Sequence, residues 1–413
     1  MNRGDRCRLT IERPAAGGRM IARHEGAIVL VAGAIPGEIV EAEIEKVQRG
    51  TAWAKARQIV EPSPDRVAAA DGDCGGAVFA HIAYERQRQI KTDIITDALR
   101  RIGRITLDNP VDVAASPTTG YRMRARLHVR GGRIGFFREG THVLCDAAIT
   151  GQLRDDTIGV LQAIEAAIAP IADRTISDIE LAENVPASER AIHLELLPDA
   201  DPSRLTALTR IDGLTGASCA HPESARTIEL WGSPLVTDTI AGATLSRHAR
   251  SFFQGNRFLT GTLVEHVLSL IEAGPVLDLY AGVGLFSVTA ATGGRGPVTA
   301  VEGDRFSAAD LKRNAQPHQV VVKADAVEQF LERPRGGFAT AIVDPPRTGM
   351  SKEAAAGVVK LGAPGLIYVS CDIATLARDS RVLLDAGYRI ASTRAFDLFP
   401  NTAHVETVMA FSR

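Results

Sequence analysis

Cysteine is scarce in this chain. Five are present in 413 residues, at positions 7, 74, 145, 219 and 371, and no two form a CxxC pair. That spacing excludes a disulfide-built scaffold. Charge of one sign is lacking too: the formal net charge is −2, so the molecule is no polycation, and an anionic partner would need a local basic face. No stretch approaches the ~20 uninterrupted apolar residues of a membrane span. The opening MNRGDRCRLTIERP has no apolar run of signal-peptide length, so a soluble, cytoplasmic protein is expected. Internal repeats and low-complexity tracts are absent. What remains is 45% apolar and 23% charged, enough for a sizeable core, and the length predicts two or three domains.

The first segment, 1–61, alternates apolar and polar residues in CRLTIER, AIVLVAG, EIVEAEIEKV and AWAKARQIV, with glycines between. The pattern predicts a small five-stranded barrel ending near Glu61. EPSPDR (61–66) reads as a linker. A mixed α+β region is expected over 67–240. Within it, 84–103 has helical spacing through Ile90, Ile94, Ile95, Ala98, Leu99 and Ile102, while 121–140 alternates as a hairpin turning at Gly131-Gly132. Residues 84–138 carry twelve Lys or Arg against five Asp or Glu. Arg122, Arg124, Arg126, Arg130, Arg133 and Arg138 precede the first acid of their own segment, Glu139. Uncompensated guanidiniums repel one another, so a phosphate-bearing partner is preferred over a merely solvated face.

From 241 to 413 the pattern is α/β. A helix over 258–274 is followed by strand candidates at 276–279, 298–301, 320–322, 339–343, 366–369, 388–392 and 405–411, spaced by helix-length stretches. Seven strands with the last two close together predict a Rossmann-like, mostly parallel sheet of the methyltransferase type. Its strand ends carry the chemistry. VLDLYAGVGLFSV (276–288) is strand, glycine turn and helix; Asp278 suits the ammonium of a methionine moiety better than a pyrophosphate. Glu302 ends the second strand, where an acid suits two ribose hydroxyls, and Asp325 follows the third, placed to meet an adenine. Asp344 ends the fourth strand in IVDPPRTGM, with Pro345 and Pro346 stiffening the loop. Arg347 stands where amino-group methyltransferases place an aromatic residue. Cys371 follows the fifth strand beside a helix start that favours its thiolate. Glu406 lies in the turn before the last strand, where desolvation by Val405 and Val408 would raise its pKa toward that of a useful base, with His404 nearby.

SFFQGN, DLYAGVG, DPPR, SCD and FP-TAHVE, in this order, resemble the RNA uracil-C5 methyltransferase family over essentially the whole chain, the barrel resembling its TRAM domain. The resemblance implies S-adenosylmethionine as cofactor and RNA as partner, ribosomal RNA before transfer RNA, with no membrane and a monomeric enzyme. It puts Gln254, Tyr280, Glu302 and Asp344 at cofactor- or base-contacting positions, Cys371 at the nucleophile and Glu406 at the general base. Thiolate attack at uracil C6 makes C5 nucleophilic, and a base must then take the C5 proton. Many relatives hold a [4Fe–4S] cluster on four cysteines around a CGGC motif. Here the motif reads Cys74-Gly75-Gly76-Ala77, the expected upstream cysteine is missing near Val67–Asp71 and only Cys145 remains as a second ligand, so the cluster is expected to be absent. The competing readings are a base methyltransferase without covalent catalysis and a catalytically silent RNA-binding assembly factor.

Overall fold

Alternating apolar residues build the first unit. In the computed structural model, which describes residues 1–69, 72–171, 175–220, 226–333 and 337–413, strands β1 (Arg6–Pro14), β2 (Met20–His24), β3 (Ala27–Ala32), β4 (Ile39–Gln48) and β5 (Thr51–Glu61) close into a barrel ordered β1-β2-β3-β5-β4. Leu9, Ile11, Val29, Val31, Val40 and Ile44 point inward and fill it, as period-2 patterning requires.

Beyond the linker, helix α1 (Tyr84–Ala98) buries Ile90, Ile94, Ile95 and Ala98. The helical pattern predicted to run to Gly103 instead widens into a π-turn over Leu99–Gly103. The wider turn rotates Ile102 off the apolar stripe, and it is 45% exposed. Next comes a two-residue strand, β6 (Val113–Ala114). The central sheet follows, with β7 (Arg124–Arg130), β8 (Arg133–Phe137), β9 (Leu144–Asp146), β10 (Ile176–Glu183), β11 (Arg190–Leu196), β12 (Gly216–Ala220) and β13 (Thr227–Gly232) in the order β13-β12-β11-β10-β7-β8-β9. The β7–β8 hairpin turns at Gly131-Gly132, both at positive φ, as the glycine pair predicts. Helix α2 (Asp155–Ile168) shares the apolar core of this sheet. A separate hairpin, β14 (Leu235–Ile240) with β15 (Ala243–His248), leads onward. The expected 240/241 boundary falls in its turn.

The C-terminal unit runs α3 (Thr260–Ser269), β16 (Val276–Leu279), α4 (Leu285–Thr292), β17 (Val298–Val301), α5 (Arg305–Ala315), β18 (Val321–Lys323), α6 (Val327–Glu332), β19 (Thr340–Val343), α7 (Lys352–Leu361), β20 (Gly365–Ser370), α8 (Ile373–Asp385), β21 (Arg389–Phe396) and β22 (Glu406–Ser412). All seven expected strands form. The sheet nevertheless has eight, ordered β18-β17-β16-β19-β20-β22-β21-β6, because β6 pairs in parallel with β21. Helix α1 packs in one core with the barrel, with α8 residues Leu376 and Leu383, and with Leu277, Leu279, Val343 and Tyr368 of the sheet. So part of the expected central region, 84–114, is built into the methyltransferase-type unit.

The scattered cysteines include one cross-link: Cys74 is disulfide-bonded to Cys145, 71 residues away. The bond ties the loop before α1 to β9, beside Gly75 N–H donating to Phe137 O at 3.0 Å and Glu139 N–H donating to Asp73 O at 2.9 Å. A closed loop of this size restricts the unfolded chain. Cys145→Ser is expected to lower the unfolding free energy by about 2–4 kcal/mol in denaturant titration with unchanged far-UV dichroism.

Candidate active site

Sheet register brings the expected residues together. Val343 pairs with Leu279 on one side and Tyr368 on the other, so Tyr280 and Asp344 leave adjacent strands at the same edge. Ser370 pairs with Thr407 across the antiparallel β20–β22 ladder, so the next residue outward on each strand is Cys371 and Glu406. Glu406 is therefore the first residue of β22, not a turn residue. The turn at Cys371 is held by Ser370 Oγ, which accepts from Asp372 N–H at 3.2 Å, while Asp372 caps α8 by accepting from Thr375 N–H at 2.9 Å. The DPPRTG loop is pinned from behind. Asp379 accepts from Met350 N–H at 2.9 Å and from the Tyr368 hydroxyl at 2.7 Å.

Three carboxyls, Asp278, Asp344 and Glu406, converge here. Asp278 is fully buried; one oxygen accepts from Ser287 N–H at 2.9 Å and the other has no partner. Burial, with Glu302 nearby, pushes its pKa up to about 7. Burial raises Asp344 well above the carboxylate range, and Glu406 and Asp278 add to it. Glu406 is 1% exposed with an unpartnered Oε1, and burial raises it to about 8 against the opposing pull of Arg347. Cys371 differs from expectation. Burial and then Glu406 push its thiol up to about 12, and Arg347, through its charge and a hydrogen bond, pulls it back. The helix start does not offset the anionic crevice. Arg347, singled out from sequence only as a departure, is thus the cation nearest the thiol. His404 opens onto the same crevice, and crowding by protein and then Arg347 hold it to about pKa 4.

The other expected positions are more dispersed. Glu302 accepts from Gly282 N–H at 2.7 Å and Asp304 N–H at 2.6 Å, bracing the glycine turn. A Cβ at Gly282 would meet nothing within 4 Å, so the turn is open to a ligand. Gln254 is buried, Tyr280 sits at φ 61°, and Asp325 is exposed just past β18. An ammonium and a sulfonium would supply the positive charge this pocket lacks, so the donor set fits S-adenosylmethionine.

A crevice of about 500 Å³ runs from Cys371, Arg347 and His404 past Gly75 and Gly76 to Arg122, Arg124, Arg126 and His128 on β7. The arginines do share one face by alternation. They are not uncompensated, however. Arg124 pairs with Glu180 at 3.2 Å, Arg126 with Asp178 at 3.3 Å, and Arg133 with Glu165 at 2.7 Å. The carboxylates of β10 lie beside β7 in space, and Arg126 still keeps 57% of its side chain exposed. Sequence reasoning also passed over Phe252, 59% exposed and covered by the Arg124 guanidinium at 5.4 Å.

Comparison with known proteins places this geometry. The TRAM domain description matches residues 2–56, and the description tRNA (Uracil-5-)-methyltransferase matches residues 329–413. The 23S rRNA (uracil(1939)-C(5))-methyltransferase RlmD of Halomonas elongata is 31% identical over 97% of this chain and 88% of its own length. The chain belongs to the RNA uracil-C5 methyltransferase family. The enzyme of the same name from Pseudomonas entomophila is 29% identical over 99% of this chain and 94% of its own. Among solved structures, Pyrococcus abyssi tRNA (uracil-54, C5)-methyltransferase, in complex with S-adenosyl-L-homocysteine, superposes with a TM-score of 0.76 at 25% identity. It covers 98% of this chain and 99% of that one.

The raised carboxyls have a measurable consequence. Each binds its proton more tightly folded than unfolded, so their contribution to stability is full below the ordinary carboxyl range. It is lost as pH rises through about 7 to 8. Glu406→Gln, lacking the charge, is expected to exceed the unmodified ligand-free protein in stability by on the order of 2 kcal/mol at pH 8.5, the two converging near pH 5. Melting curves across that range check it.

Proposed function

We propose that this protein transfers a methyl group from S-adenosylmethionine to C5 of a uridine in RNA, ribosomal rather than transfer RNA, through a covalent link between Cys371 and C6. The observation that carries the reading is the register of β20 and β22, which sets Cys371 and Glu406 across from each other at one crevice. The ribosomal assignment is supported by the 31% relative. Gln254, Asp278, Tyr280, Glu302, Asp325 and Asp344 would hold the cofactor. The cofactor supplies the methyl group as a sulfonium.

The protein's own residues do the rest. Arg347 favours the Cys371 thiolate, which forms an S–C6 bond and pushes the ring electrons toward C5. After methylation a Glu406 oxygen takes the C5 proton, the electron pair returns to the ring, and the S–C6 bond breaks. C6 is inaccessible in a stacked strand, so the uridine enters flipped or from a loop. The barrel 1–61 and the central sheet from β7 to β13 hold the RNA, and 241–413, with 84–114 built into it, performs the chemistry.

An iron–sulfur cluster does not fit the cysteines present. Cys74 and Cys145 are bonded to each other, while Cys7 and Cys219 are buried in β1 and β12 and Cys371 belongs to the crevice. Anaerobically purified protein is expected to be colourless, with no stoichiometric iron or sulfide. No helix among the described residues is long and apolar enough to cross a membrane, and we take the enzyme to be a cytoplasmic monomer.

Cys371→Ser is expected to keep cofactor affinity and lose methylation, and turnover at the original rate would end the covalent reading. RNA containing 5-fluorouridine should form an adduct stable to denaturation, which a non-covalent base methyltransferase would not give. Tritium release from C5-labelled RNA separates an enzyme from a silent assembly factor. Arg122→Ala with Arg126→Ala should weaken RNA binding and reduce the slope of log K against log salt by about 1. Because Arg126 already pairs with Asp178 and Glu180, the drop should be less than two full phosphate contacts.

A further inference from the structure

The segment joining β21 to β22, residues 397–405, ends at Glu406 and is clasped by parts of the chain far from it in sequence. Lys91 on α1 is 0% exposed. Its ammonium donates to Asp397 Oδ1 at 2.5 Å and to Phe399 O at 3.0 Å. One helical turn earlier, Gln87 Nε2 donates to Asn401 Oδ1 at 3.0 Å, and Gln87 Oε1 accepts from Asn401 N–H at 2.9 Å. Phe79 N–H donates to Asn401 O at 2.8 Å. The strand that precedes the segment is also held from outside: Asp397 N–H donates to Ala114 O of β6 at 3.0 Å.

Asp397 directly follows Phe396, and Phe396 is the cross-strand partner of Glu406. The clasp therefore grips the first half of the turn that presents the carboxylate, residues 397–401, starting beside the cross-strand partner of Glu406. A buried lysine is an expensive way to gain stability, since both charges lose their hydration; such pairs are better explained by the geometry they specify. A Gln matched donor-to-acceptor with one backbone unit and one side chain of Asn401 has the same character.

We infer that Lys91 and Gln87 are positioning residues for proton abstraction: they hold 397–401 so that Glu406 meets C5 of the linked uridine. The assignment rests on the covalent reading above. It names a step, adduct resolution, that these residues serve without touching RNA or cofactor.

The test uses full-length Gln87→Ala and, separately, Lys91→Met combined with Asp397→Asn, so that no buried charge is left single. Both are offered unmodified ribosomal RNA tritiated at uridine C5, with S-adenosylmethionine. The inference expects tritium release slowed at least tenfold, with protein–RNA adduct accumulating in denaturing gels. Affinities for RNA and cofactor should stay within twofold. A purely structural role would lower all of these together with the melting temperature and leave no adduct, and that result would overturn it. So would release at the original rate in either folded variant; should the double variant not fold, Gln87→Ala decides alone. Wild-type protein with 5-fluorouridine RNA separates the two levels. An adduct there with normal release in the variants sinks only the positioning role, whereas no adduct in any sample sinks the covalent reading and this assignment with it.

Discussion

The antiparallel insertion of β22 between β20 and β21 is the constraint on which the crevice depends. In a parallel sheet, every strand delivers its C-terminal end to the ligand edge, and so every side chain there follows a strand. Asp344 and Cys371 arrive in that way. A reversed strand is the one element that starts at this edge, and Glu406 is its first residue. The ladder then fixes the spacing, since Ser370 opposite Thr407 leaves their outer neighbours facing each other. The Cys371 thiol and the Glu406 carboxylate thus come from strands whose separation is set by backbone hydrogen bonds rather than by loop conformation.

That arrangement crowds acid into a place poor in water. Burial raises Asp278, Asp344 and Glu406, Glu406 and Asp278 raise Asp344 further, and Glu406 and Asp344 add to burial in suppressing ionisation of Cys371. The ligand-free crevice consequently favours the protonated thiol. Arg347 opposes this from the DPPR loop, whose shape is held by Asp379 behind it. A cationic ligand would favour the charged form of all four groups. The site is destabilising alone and becomes favourable when filled, as functional sites commonly are.

How much of this was legible in the sequence follows from distance along the chain. The strands of the C-terminal sheet are apolar runs between helices, so they could be read directly, and the residues at their ends came with them. Cys371 and Glu406 were readable because each adjoins a strand terminus. β6 was not, because two residues carry no periodicity and pair only through Ala395 and Phe396, some 280 residues on. The arginines of β7 looked unmatched because Asp178 and Glu180 lie more than 50 residues later. The Cys74–Cys145 pairing is hidden for the same reason. The thiol's raised pKa comes first from burial and then from carboxyls on other strands, so a helix start judged locally pointed the other way. Ile102 was misplaced by a change of helical pitch that no pattern announces.

The position of β22 also bears on how the molecule is made. The strand that fills an interior slot of the sheet follows both of its neighbours, β20 and β21, in the sequence. Until it emerges from the ribosome, β20 and β21 have no partner between them, and β6, waiting since early in synthesis, has no complete edge to join. A chain growing from its N-terminus therefore gains the barrel and central sheet first and the carboxylate at Glu406 last. A nascent chain that already carries Cys371 and the arginine face therefore has neither the carboxylate of Glu406 nor the ladder that sets its place beside the thiol.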